Sequence, residues 1–160
     1  MPRSGRDRGC DRRHAVTVPD PPPYTGVEQH MTEQSLFERL GGVYGIAGAV
    51  DILVDRLFEN ASVNANEAVH AHHGVPANAA GYKFLVTAWS VQAAGGPQCY
   101  PGLDMITAHE TMGVTDEQFD AVAMEIASTL SFCGVPAAEH VEFMDIIESY
   151  RPQVVEQKVA

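Results

Sequence analysis

The sequence predicts an all-α protein, and three features of residues 34–160 support this fold class. Apolar residues recur every three or four positions, as they do on the buried face of a helix. Two capping-box patterns, Ser35-Leu36-Phe37-Glu38 and Thr115-Asp116-Glu117-Gln118, indicate where helices begin. No segment alternates apolar and polar residues as a half-buried strand does. We therefore expect a set of helices that are separated by glycine and proline.

Each predicted helix is bounded by a recognisable stop or start. The first is short, begins after Ser35 and ends at Gly41-Gly42. Further helices are expected over about 45–59, 79–94, 103–112, 116–133 and 136–150. Residues 60–78 are polar and contain Gly74 and Pro76, so we expect an irregular segment there.

The chain has 160 residues, which is the usual size of one domain. Residues 1–33 differ from the rest because they hold five of the ten basic residues and the run Pro19-Asp20-Pro21-Pro22-Pro23. Such a composition favours a disordered or loosely packed N-terminal tail. The folded domain is then expected to comprise residues 34–160.

The charge of the chain argues against two classes of partner. The chain has ten Lys and Arg residues and 21 Asp and Glu residues, which gives a formal net charge of −11. Nucleic-acid phosphates and anionic membranes are both held by clustered basic side chains, so neither is an expected partner. No window reaches the roughly 20 apolar residues of a spanning helix. No apolar run follows the N-terminal arginines either, so we expect a cytoplasmic protein.

One histidine has an unusual setting. Met105, His109 and Met112 are spaced so that they share one face of a short helix. Among apolar groups an imidazole favours its neutral form, which is the form that binds iron or zinc. The carbonyl of Met105 is in position to accept the other ring N–H, as around a metal-binding histidine. The same pattern also suits a core histidine whose hydrogen bonds are satisfied by the backbone.

The most specific pattern lies in residues 95–109 and reads Gly-Gly-Pro-x-x-Tyr-x-Gly-x-x-Met-x-x-x-His. It resembles the signature of the group I truncated haemoglobins, a family of small bacterial and algal globins. The resemblance covers about residues 35–153 and includes the segments 36–42, 49–51, 119–121 and 134–136.

This resemblance implies a globin-like two-over-two helical sandwich with a short proximal helix. It further implies that His109 binds the iron of haem b. The protein is then expected to bind diatomic gases (O2, NO or CO), in oxygen binding or transport or in detoxification of nitric oxide. A nitric oxide dioxygenase-type activity would require an external reductase, so no enzyme class is assigned.

A haem ring needs an apolar cleft, and several side chains could line it. The expected wall consists of Met105, Phe84, Trp89, Phe119, Val122 and Ile126. The carboxylates at the edge of the ring usually meet cations or tyrosines, for which Lys83 and Arg56 are the main cationic candidates.

The side of the haem opposite His109, the distal side, departs from the family. The usual distal tyrosine aligns with Val54, and the usual Phe-Phe pair aligns with Asn66 and Glu67. Counting back from Gly95-Gly96 places Tyr82 and Val86 at the distal positions of the next helix. We expect the Tyr82 hydroxyl to donate a hydrogen bond to a bound gas, although a surface tyrosine fits the pattern equally well.

A histidine cluster, His70-Ala71-His72-His73, lies in the predicted irregular segment. Its imidazoles could be solvated, could supply a sixth ligand to the haem iron, or could bind a separate metal ion. The sequence accordingly leaves two alternative functions open. One is a redox or gas sensor with six-coordinate haem, and the other is a haem-free globin-like module for protein interaction.

Overall fold

The computed structural model describes residues 34–155, and every regular element in this part of the chain is helical. The predicted tail, residues 1–33, lies outside the described residues. The helices are α1 (Leu36–Arg39), α2 (Gly42–Glu59), α3 (Glu67–His73), α4 (Ala79–Ala93), α5 (Met105–His109), α6 (Asp116–Phe132), α7 (Ala137–Ser149) and α8 (Arg151–Val154). The predicted all-α class is therefore confirmed.

The predicted capping boxes form at the starts of α1 and α6. The Ser35 side chain accepts the Glu38 N–H, and the Glu38 carboxylate accepts the Ser35 N–H. Thr115 and Gln118 make the same reciprocal pair before α6. Gly41 adopts a φ of +84° between α1 and α2, a conformation in which a side chain would be strained. Local sequence signals thus determine where these helices begin.

The expectation of an irregular segment over residues 60–78 was wrong for residues 67–73, whereas residues 60–66 form turns and bends. Residues Glu67–His73 form α3, because the Asn66 side chain accepts the N–H groups of Ala68 and Val69 and so caps the helix. Gly74 ends α3, and a short 3-10 turn over Pro76–Asn78 leads into α4. Gly74 and Pro76 therefore end α3 early, but they do not prevent a helix from forming before them.

The helices form the expected two-over-two sandwich. Helix α2 packs against both α4 and α6, and α6 packs against α7. At one end the Arg39 guanidinium of α1 pairs with Glu139 and Glu142 of α7. The buried core between the helices includes Ile46, Val50, Val91, Leu130, Phe143 and Ile147. Between residues 34 and 155 no helix is both long and apolar enough to cross a membrane.

Candidate functional site

A large apolar cavity lies between the helices of the sandwich and the short helix α5. Its volume is about 620 Å³, which is within the range of small-molecule and cofactor sites. The wall includes Val54 and Phe58 of α2, Tyr82, Val86 and Trp89 of α4, Met105 and His109 of α5, and Phe119, Val122 and Ile126 of α6. Most of the predicted site residues are therefore brought together around one space.

His109 occupies the C-terminal end of α5 and is half-buried in the cavity wall. Asp104 caps the start of α5, because its carboxylate accepts the N–H and the hydroxyl of Thr107. The Nδ1 atom of His109 lies 2.8 Å from the carbonyl oxygen of Met105, which is the expected hydrogen bond. A carbonyl oxygen only accepts, so Nδ1 carries a proton, and the neutral ring then has its lone pair on Nε2.

Aromatic and cationic contacts connect residues of the cavity wall to one another and to Arg151. The ring of Trp89 meets the ring of Tyr150 edge to face, with a centroid separation of 5.3 Å. The Arg151 guanidinium lies over the ring of Phe119 at 4.3 Å from its centroid. Tyr150 also lines the cavity, although its position at the end of α7 carried no signal for this in the sequence.

The prediction that Phe84 lines the cavity was wrong. Its side chain is 61% exposed and does not line the cavity. The helical period explains the difference, because Tyr82, Val86 and Trp89 lie at i, i+4 and i+7 on the inner face of α4. Position 84 is half a turn from this face and points to solvent.

On the α3 side of the cavity, three rings form an aromatic cluster that the sequence did not predict. The His73 imidazole stacks on Phe58 with a centroid distance of 4.9 Å and an angle of 15° between planes. Tyr82 meets both rings edge to face, at 5.0 Å from His73 and 5.7 Å from Phe58. We name this set, Phe58, His73 and Tyr82, the distal cluster. His73 is thus half-buried in the cavity wall, whereas His70 is exposed.

Burial shifts the pKa values of both titratable members of the distal cluster. It lowers the pKa of His73, and the neighbouring His72 and His70 lower it further because they repel a second positive charge. It raises the pKa of Tyr82 because the phenolate loses its hydration. In both residues burial therefore favours the neutral form.

The two predicted partners for haem carboxylates are engaged elsewhere. The Lys83 Nζ atom lies 2.7 Å from a carboxylate oxygen of Asp51 and 2.7 Å from one of Asp55, and these pairs raise the pKa of Lys83. Arg56 lies over the ring of Phe132 and 3.7 Å from a Glu125 oxygen. Neither residue lines the cavity. The polar side chains in its wall include His72, His73, Tyr82, Tyr100, His109, Gln118 and Tyr150.

The residues present fit a haem group. The cavity offers apolar side chains for a flat macrocycle, and His109 offers one imidazole nitrogen with a free lone pair. Within residues 34–155, no three His, Cys, Asp or Glu side chains come together to hold a metal ion by themselves. The separate metal site considered for the histidine cluster is therefore not formed there.

Comparison with known sequences also points to a haem-binding globin. The model of the family described as bacterial-like globin matches residues 35–156. The chain is 31% identical over 106 residues to the group 1 truncated haemoglobin GlbN of Synechocystis sp., which covers 64% of this chain and 80% of that protein. It is 26% identical over 122 residues to the group 1 truncated haemoglobin of Tetrahymena pyriformis, which covers 76% and 95%.

Solved structures show the same fold. The Fe(III) form of the Tetrahymena pyriformis truncated haemoglobin superposes with a TM-score of 0.65 at 27% identity, covering 78% of this chain and 100% of that one. The 2/2 haemoglobin of Synechococcus sp. gives a TM-score of 0.60 at 30% identity, with coverages of 75% and 95%. The sandwich, the cavity and the sequence match over most of the chain lead to one conclusion: the chain belongs to the bacterial-like globin family, which implies haem-based gas binding.

Proposed function

We propose that this protein binds haem b through His109 and that the loaded protein would bind a diatomic gas, O2, NO or CO. The observation that carries the proposal is the hydrogen bond from His109 Nδ1 to the Met105 carbonyl oxygen. It fixes the tautomer in which Nε2 has a free lone pair, on a side chain that lines the apolar cavity. Bound haem would supply an iron atom that can bind the gas reversibly.

The rest of the wall gives the cavity its selectivity. Val54, Val86 and Phe119 exclude water and favour small apolar ligands over charged ones. The Tyr82 hydroxyl is a neutral hydrogen-bond donor in an otherwise apolar wall. Tyr82 therefore takes the part that the family assigns to a tyrosine at the position of Val54. A donor beside a bound gas slows release of the gas with the strongest acceptor character, which is oxygen.

Binding or transport of oxygen and removal of nitric oxide both begin with gas binding at this site. Removal of nitric oxide would in addition require a separate reductase that supplies electrons for each cycle. Reversible gas binding is therefore the activity that the residues of the cavity support most directly.

Titration of the apo-protein with hemin tests the proposal. The wild type is expected to take up one hemin per chain with a sharp Soret band, and His109→Ala is expected to lose this tight binding. His140→Ala is the matched control, because His140 is half-buried on α7, outside the cavity, where its Nε2 atom lies 3.0 Å from the Ala127 carbonyl oxygen. Added imidazole should restore the spectrum of the His109→Ala protein.

Two results would contradict the proposal. Equal affinity and identical spectra for the wild type and His109→Ala would exclude His109 as the iron ligand. A wild-type protein that takes up no hemin would favour the haem-free interaction module instead. The part of Tyr82 is tested by oxygen dissociation, which should be faster in Tyr82→Phe than in the wild type.

A further inference from the structure

The side chain of Asn66 joins three elements that surround the cavity. Its amide oxygen accepts the N–H groups of Ala68 and Val69 at the start of α3. Its amide nitrogen donates to the carbonyl oxygen of Met112 at 2.8 Å and to the side-chain oxygen of Gln118 at 3.1 Å. An amide has two N–H donors and an oxygen with two lone pairs, so all of its hydrogen-bonding positions are filled. The reverse orientation of the amide would place donors against donors, so the four bonds also fix which atom meets which element.

The bond from Asn66 to Met112 acts on the turn that follows His109. The Met112 N–H donates to the His109 carbonyl oxygen at 2.9 Å, so this turn closes directly onto the proposed iron ligand. Gly113 then ends the turn with a φ of +57°. Helix α5 has five residues, none of which is buried, so its position depends strongly on hydrogen bonds at its two ends. Asp104 supplies these bonds at the start of α5, and Asn66 supplies one beyond its end.

Asn66 occupies a position at which this chain departs from its relatives. The usual Phe-Phe pair of the family aligns with Asn66 and Glu67. Asn66 is half-buried and does not line the cavity, whereas both of the residues that accept from its amide nitrogen, Met112 and Gln118, line it. The polar side chain therefore acts on the cavity from behind the wall, through hydrogen bonds, at a position where relatives have an aromatic ring.

We propose that Asn66 is a positioning residue, which holds His109 in place for haem through the Met112 carbonyl. This inference rests on the proposed binding of haem by His109. Partners that lie behind a metal-binding histidine fix the orientation of its ring. Without the amide donor the Met112 carbonyl loses its partner, and the turn after His109 becomes free to move. The imidazole would then take more than one orientation, and the protein would release haem more easily.

Two substitutions separate the bond to Met112 from the capping of α3. Asn66→Asp and Asn66→Ser both keep an oxygen that can cap the helix. The carboxylate of Asn66→Asp only accepts hydrogen bonds, and the hydroxyl of Asn66→Ser ends one bond short of the amide nitrogen, so neither replaces the donor to Met112. Asn78→Asp is the matched control, because the Asn78 amide donates to the His72 carbonyl oxygen at 3.0 Å, near the other end of α3. Far-UV circular dichroism establishes that each variant is folded.

Resonance Raman spectroscopy tests the orientation of His109 in the haem-loaded protein. The iron–histidine stretching band is recorded immediately after photolysis of the CO complex. We expect one narrow band for the wild type and for Asn78→Asp, and a broader band for both Asn66 variants, because their imidazole takes several orientations. A variant that is merely less stable keeps the wild-type band in its folded fraction, so this readout distinguishes positioning from stability.

Release of hemin to an acceptor protein supplies a second readout. We expect it to be about fivefold faster in both Asn66 variants, which is the effect of one ordinary hydrogen bond. Asn78→Asp should release hemin at the wild-type rate. In the protein without haem, amide hydrogen exchange over residues 109–113 should be faster in the Asn66 variants than in the control.

The outcomes separate this inference from the proposed function. A wild-type band and a wild-type release rate in both Asn66 variants would overturn the positioning role, while haem binding by His109 still stands. Equal broadening in Asn78→Asp would also overturn it, because loosening of α3 would then be sufficient without the bond to Met112. Uptake of hemin that is indifferent to His109→Ala would overturn the proposed function, and this inference with it.

Discussion

The guanidinium of Arg151 covers one face of the Phe119 ring, with its central carbon 4.3 Å from the ring centroid. The same guanidinium pairs with Asp120 at 2.6 Å, Asp116 at 3.3 Å and Glu148 at 2.9 Å, and these carboxylates raise the pKa of Arg151. One side chain thus connects the end of α7 to the start of α6. Since Phe119 lines the cavity, this contact also holds part of the cavity wall.

Replacing Arg151 by methionine should destabilise the fold. Each ion pair is solvent-exposed on its acidic side and contributes little, but the stacked guanidinium adds a cation–π contact. We expect Arg151→Met to lower the free energy of unfolding by about 1 kcal/mol, as measured by urea denaturation of the apo-protein. Arg151→Lys keeps the charge without the planar fork and should recover only part of this loss. Full recovery by lysine would mean that charge alone is responsible.

Gly102 provides a test of the cavity wall between α4 and α5. A Cβ atom at this position would overlap the ring of Tyr100, a half-buried residue of the wall. In Gly102→Ala the ring must therefore move, and we expect hemin to dissociate about tenfold faster, the equivalent of ~1.4 kcal/mol. Gly81→Ala is the control, because a Cβ atom there meets no atom within 4 Å. Equal dissociation rates in both variants would show that Tyr100 does not support the haem.

The sequence was sufficient for the parts of the fold that depend on local signals. The capping boxes at Ser35 and Thr115, and the hydrogen bond from His109 to Met105, follow from residues three or four positions apart. The positions of the main helices along the chain are likewise indicated by apolar residues that recur every three or four positions. Helix α3 was not predicted because the expectation for residues 60–78 rested on Gly74 and Pro76 and did not include the cap that Asn66 forms at the start of this helix.

The parts of the site that depend on distant residues could not be predicted in this way. Phe84 and Val86 are both apolar residues of α4, and only the packing of α4 on α2 decides which of them faces the cavity. The sequence alone does not show that Lys83 pairs with Asp51 and Asp55, because these residues lie on another helix and come together only in the fold. The burial of His73 depends on Phe58, fifteen positions earlier in the sequence.

Acid should loosen the start of α5 through Asp104. The N–H and hydroxyl of Thr107 lower the pKa of Asp104 below its usual value of 3.8. A carboxyl with a depressed pKa in the folded state stabilises the fold above pH 3.8, and this contribution is lost as the pH falls through the lower, folded-state value. Asp104→Asn keeps a capping oxygen but does not titrate, so its unfolding midpoint should depend less on pH below 4 than that of the wild type. Parallel pH profiles for the two proteins would contradict this assignment.

Introducing a tyrosine at position 54 should slow oxygen release. Val54 is 1% exposed and lines the same cavity as Tyr82 and Val86, so a hydroxyl introduced there can reach the distal side. A hydrogen bond of about 1.4 kcal/mol to bound oxygen corresponds to a tenfold slower dissociation, measured by rapid mixing of the oxygenated protein with CO. Val54→Phe adds the same ring without the hydroxyl, so it separates the effect of bulk from that of hydrogen bonding. We expect Val54→Tyr to be the slower of the two, because only its side chain can donate. Equal rates would mean that the ring points away from the gas, which would leave Tyr82 as the proposed distal donor.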